Sequence, residues 1–235
     1  MKKRLLSGLA LSLVLAASSF GSLRGAVVPG TVNQGIIKIR IHDYAQVKPS
    51  VLLSATKAAS DILREAGVDT VWVECPVGQT LFPDSVCTNP MTPLDLVLNL
   101  LPRSRAQYFR LQDETLGVAM VAGGQDFGFF ASVFYDSVKA YAGHHKLRLP
   151  QLLGHTIVHE IGHLLLGAAH SANGVMRACW SGKELLAAEQ GKLSFSFSEK
   201  NQLQTTLTAR RQATLHGDKS PEVPLHCDFH FSCFC

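Results

Sequence analysis

Chemistry is concentrated in one stretch, His159-Glu160-Ile161-Gly162-His163, continued by Leu164-Leu165-Leu166-Gly167-Ala168-Ala169-His170. On a helix, histidines four positions apart lie about one turn from each other, so the imidazoles of His159 and His163 converge on one ion. Glu160 then reaches a water held on that ion and takes its proton. Gly167 offers the helix an end and the chain a turn. His170 follows closely enough to swing back as a third nitrogen ligand. Three protein nitrogens and a water describe a catalytic zinc, whereas a structural zinc is closed by four protein ligands. The predicted chemistry is zinc-assisted hydrolysis with Glu160 as general base. His159 and His163 ligate as neutral imidazoles, so acid strips the metal.

The elements that must position these groups follow from periodicity and punctuation. The segment Leu149 to Leu166, with Pro150 in its first turn, predicts the helix that carries the histidines. His155 shares their face but lies two turns from His163, about 12 Å along the axis, so it is read as a packed neighbour of the site. His144 and His145, beside Lys146, read as a surface loop. Upstream, Ile36 to Ile41 and Val68 to Glu74 are strands flanking a helix from Val51 to Ala66, which Gly67 stops. Leu94 to Leu101 reads as a third strand, with a short helix as the alternative. Leu116 to Val121 and Gly128 to Tyr135 are a fourth and a fifth. A last helix runs from about Ser198 to Arg211. The strand-helix-strand start favours parallel pairing, so the fold class is α+β, with a mixed five-stranded sheet and helices packed on it.

The 235-residue chain has enough apolar sequence for one sizeable domain. Lys2, Lys3 and Arg4 precede an apolar run from Leu5 to Ala17 and then small residues, which is the pattern of a secretory signal peptide over residues 1–21. The run is too short for a stable membrane span. A short leader arm follows over 22–35, then a catalytic domain over 36–213 and a Cys-rich, irregular tail over 214–235. The formal net charge of +4 loses three positive charges with the leader, leaving about +1. No basic stripe points to nucleic acid. A monomer acting on protein or peptide substrates outside the cytoplasm, secreted or periplasmic, is expected. Six cysteines in an exported chain favour disulfides, with Cys75 and Cys87 as the first pair and the partners of Cys179, Cys227, Cys233 and Cys235 open. The tail segment His226-Cys227-x-x-His230-x-x-Cys233-x-Cys235 also has the residue types for a second metal.

His-Glu-Ile-Gly-His followed by Gly-x-x-His, then Ser171 and Met176, resembles the metzincin clan of zinc endopeptidases, with wording nearest the matrix-metalloproteinase branch. The resemblance implies an early helix, an active-site helix, a methionine-containing turn beneath the zinc and a C-terminal helix, over about residues 36–211. It implies Zn2+ held by His159, His163 and His170, Glu160 as the catalytic residue, and Met176 as the floor of the site. It also implies that Leu116 to Val121 is the edge strand along which an extended substrate lies antiparallel. The chain departs from the clan at one point: His170 lies seven positions after His163 where the clan has six. One extra residue therefore precedes the turn, and Glu184 or Glu189 stands as a substitute ligand should His170 fall short. A zinc-binding but non-proteolytic domain on the same scaffold is the alternative function.

Overall fold

Alternating isoleucines make the first strand. In β1 (Ile37–Asp43), Ile37, Ile39 and Ile41 are fully buried. Its other face carries Arg40, also buried, which donates to Asp95 at 3.1 Å and to the Asn89 carbonyl at 2.8 Å. The computed structural model describes residues 35–78, 85–109, 115–121, 127–217 and 228–232. The expected leader and nearly all of the arm lie outside these residues.

After β1, α1 (Pro49–Glu65) begins on Pro49 and buries Leu52, Ala55, Ala59, Ile62 and Leu63, one stripe at helical spacing. Gly67, at φ 76°, reverses the chain, and the Val68 amide donates back to the Leu63 carbonyl at 2.9 Å. β2 (Thr70–Cys75) then pairs parallel with β1, as the strand-helix-strand order requires. β3 (Asp95–Leu101) pairs parallel with the other side of β1, and β5 (Phe130–Phe134) parallel with β3. β4 (Gly117–Val121) is antiparallel to β5. The five expected strands thus form one mixed sheet.

A sixth strand, β6 (Asp228–Ser232), pairs antiparallel with the outer side of β4, so the order across the sheet is β2-β1-β3-β5-β4-β6. This corrects the expectation of an irregular tail. Two helices also differ from expectation. Tyr135 opens α2 (Tyr135–His145) instead of ending a strand, so His144 and His145 close a helix and are not loop residues. α4 (Gly182–Glu189) was not anticipated. The last helix, α5, runs Phe197–Leu215, and a 3₁₀ helix spans Arg103–Phe109. Among the described residues no helix is long and apolar enough to cross a membrane.

α3 (Leu149–Leu166) has the expected limits and is buried almost all round, from Leu152 to Leu165. A helix without a polar face must be enclosed, and α3 packs against β4, β5 and the other four helices. Its contact with α1 is closest at Gly154, where an added Cβ would stand 2.7 Å from the Ala55 carbonyl oxygen and 2.9 Å from the Ala58 Cβ. A second clamp comes from α5. Arg210, fully buried, donates to the carbonyls of Pro93 (2.6 Å), Gly128 (2.7 Å) and Leu164 (2.8 Å), with its guanidinium over the Phe127 and Phe129 rings. Burial pushes its pKa down to about 9, which leaves it charged at neutral pH. Cys75 and Cys87 are joined by a disulfide, as expected.

Candidate metal centre

The three histidines of the opening stretch meet. Nε2 of His163 lies 3.1 Å from Nε2 of His159 and 3.2 Å from Nε2 of His170, and the three ligand atoms all fall within 4.8 Å of one another. His159 and His163 are buried on α3, and His170 is the partly exposed member. The Nδ1 side of two rings is occupied. Nδ1 of His159 donates to the Val175 carbonyl at 2.7 Å, and Nδ1 of His163 to the Gly167 carbonyl at 3.1 Å. With the proton on Nδ1, the Nε2 lone pair of each ring points at the shared centre.

Lone pairs facing each other at this distance repel unless a cation lies among them. A tetrahedral zinc with imidazole nitrogens about 2.0–2.1 Å away sets those nitrogens about 3.3 Å apart. The observed spacing and donor set therefore fit such an ion. Burial pushes the His159 imidazole down to about 3, with His163 adding to the shift and the Val175 carbonyl opposing it. His159 is accordingly neutral, the form that ligates.

The extra residue between the second and third histidines is absorbed at the helix end. α3 continues to Leu166, and the Gly167 amide still donates to the His163 carbonyl at 3.0 Å. Gly167 then takes φ 92°, a conformation open to glycine, and the turn brings His170 back to the centre. The next loop is closed at its base, where the Ser171 amide donates to the Met176 carbonyl at 2.9 Å. The Ser171 hydroxyl donates to Glu199, whose carboxylate also accepts from the Ser196 amide at the start of α5. Glu184 and Glu189, weighed as substitute ligands, are engaged elsewhere. Glu184 pairs with Arg177 at 2.8 Å and caps α4 through Ser181, while Glu189 pairs with Arg148 at 2.6 Å.

Met176 is buried, and its sulfur occupies the space that a Cβ on Gly162 would fill. The methionine therefore packs directly against α3 at Gly162, the residue before His163. Gly162 was visible in the motif, and a glycine inside a helix is itself a signal of close approach. Trp180 was not anticipated. Its Nε1 donates to the same Val175 carbonyl at 3.2 Å, and its ring lies 6.0 Å from His159 and 6.2 Å from His155. His155 is fully buried, as its reading as a packed neighbour requires, with Nδ1 donating to the Gln151 carbonyl at 2.7 Å.

Glu160, next to His159 in the chain, is fully buried. Its carboxyl group lies against β4, where a Cβ on Gly117 would stand 2.6 Å from Oε1 and 2.8 Å from the carboxyl carbon. Strand β4 thus runs directly past the one carboxylate on the histidine motif. The arrangement joins a three-nitrogen cation site, an adjacent carboxylate and a strand passing alongside.

No protein-family model matches the chain, and no curated protein does. Among solved structures it is similar to the archaemetzincin of Methanopyrus kandleri, at 17% identity and a TM-score of 0.47, over 76% of this chain and 99% of that one.

Proposed function

We propose that this chain is an exported zinc-dependent metallopeptidase of the metzincin clan that hydrolyses peptide bonds in extended polypeptides. The observation that carries the reading is the convergence of three imidazole Nε2 atoms, with Glu160, next to His159 in the chain, buried. His159, His163 and His170 would hold the metal. A bound zinc supplies a Lewis acid that polarises the scissile carbonyl and lowers the pKa of water.

Glu160 takes the proton of the attacking water and passes it to the departing amine, which leaves neutral. The Val175 and Gly167 carbonyls fix the tautomers of His159 and His163. The Met176 side chain fills the floor under α3, and the outer side of β4, which β6 covers in this structure, is the strand that would align the polypeptide by main-chain hydrogen bonds. Export is supported by the charged-apolar-small N-terminus and by the disulfides.

The test is to measure metal content and peptide cleavage on the purified mature chain. About one zinc per chain is expected, with cleavage abolished by a chelator and restored by zinc. Glu160→Gln should retain the zinc and lose about 10²-fold or more in kcat. Cleavage that persists in stoichiometrically zinc-free protein would sink the reading. A zinc-binding, non-proteolytic domain predicts instead that Glu160→Gln leaves the biological effect of the protein unchanged.

A further inference from the structure

The tail strand lies where an incoming polypeptide would be expected. Without β6, β4 would be the edge of the sheet nearest the site, with its outer row of amides and carbonyls open. Such an edge is a template for an extended chain, and Gly117 places it against Glu160. In this protein the template is taken. Residues Asp228 to Ser232 pair antiparallel with Val121 to Gly117, one for one, and β6 also comes up against α3. The register puts Ser232 opposite Gly117, so the C-terminal end of β6 reaches the level of Glu160.

A covalent bond adds to this placement. Cys179 is disulfide-bonded, and with Cys75 and Cys87 joined to each other the sequence leaves only Cys227, Cys233 and Cys235 as partners. All three lie within three residues of β6. Cys179 follows Met176 by three positions and adjoins Trp180, which packs on His155 and His159.

We propose that the C-terminal strand is an intramolecular occupant of the peptide-binding edge, pinned by the Cys179 disulfide, so that a polypeptide gains the site only when β6 is displaced. The proposal rests on the metallopeptidase reading for its effect on catalysis but not for the occupancy itself. A tethered strand competes at an effective concentration in the millimolar range for a short flexible link, far above a micromolar substrate. Severing the chain between α5 and β6 alone would leave the strand attached through the disulfide.

The experiment compares the oxidised mature chain with two released forms, a chain ending at Gly217 and the full chain carrying Phe229→Pro with His230→Pro, and with Cys179→Ser, which removes the pin but keeps the tether after α5 and should rise less than they do. Consecutive prolines remove two neighbouring amides, so one that faces β4 is lost whichever the parity. Far-ultraviolet circular dichroism and thermal unfolding identify which forms are folded, and those forms are used.

Cleavage of a quenched-fluorescence peptide should rise at least tenfold in kcat/KM in the released forms. A labelled peptide copying residues 226–235, with serine for each cysteine, should bind the truncated chain carrying Glu160→Gln, read by fluorescence anisotropy. It should also inhibit the active truncated chain competitively. A folded released form that cleaves no faster than the full chain overturns the proposal while leaving the metallopeptidase reading intact. So does failure of the tail peptide to bind the folded truncated chain. If no form cleaves, the metallopeptidase reading falls, and the anisotropy measurement alone decides whether the strand occupies this edge.

Discussion

At Gly117 a methyl group would stand 2.6 Å from Oε1 of Glu160, so alanine there has to move the carboxylate or the strand. Gly117 is a positioning residue for the proposed base. Gly117→Ala should lower kcat by at least about tenfold, since displacements near 1 Å at a reacting group cost up to 10²-fold. Zinc content and the circular dichroism spectrum should be unchanged. Equal turnover in the two proteins would show that the contact has no bearing on Glu160. His159, His163 and Glu160 were legible in the sequence because their spacing is a local helical property, whereas His170 lies past the end of α3. Trp180 and the Val175 carbonyl were not, because residues 16 and 21 positions downstream of His159 meet it only after the loop folds back.

Among the elements, α3 was read to the residue, since Pro150 and Gly167 punctuate it at both ends. α2 was missed because Phe134 and Tyr135 carry the apolar run of β5 straight into the helix with no breaker between them. α4 has only eight residues, too few for periodicity to reveal, although its capping box, Ser181 with Glu184, was written in the sequence. That box has a measurable consequence. The Ser181 hydroxyl (2.5 Å), the Ser181 amide (3.0 Å) and Arg177 hold the Glu184 carboxyl at about 2, against an ordinary value near 4.5, even though burial opposes them. The folded state therefore binds the proton less readily than the unfolded chain. The stabilisation is fully present above about pH 4.5 and is lost as the pH falls from there towards 2. Thermal midpoints of the wild type and Glu184→Gln should differ above pH 5 and converge on acidification. A gap that stays constant down to pH 2 would contradict the shift.

At the scale of the molecule, Arg210 joins three segments that only the fold brings together, 117, 82 and 46 positions away along the chain. Arg210→Met fills much of the space but leaves three carbonyls without their donor, so the protein should lose about 2–4 kcal/mol. Urea unfolding measures the loss, and a midpoint shift worth under about 0.5 kcal/mol would deny the clamp its role. Nothing in a helix as polar as α5 marks this arginine as buried. β6 was illegible for a related reason. Asp228-Phe229-His230-Phe231-Ser232 does alternate, but five residues between cysteines are too few to set that pattern apart, and nothing local names β4 as its partner.

The sequence by itself determined two candidate donors, His159 and His163, the proposed base, the helix that carries them and the succession of the first five strands along the chain. Each of these rests on contacts within one turn of helix or on alternation within one strand. Tertiary structure alone decided that a longer turn still returns His170 to the centre, that Met176 seats under Gly162, and that the tail covers the edge beside Glu160. Those outcomes depend on where separate segments meet once the core has closed, and local spacing places no limit on that.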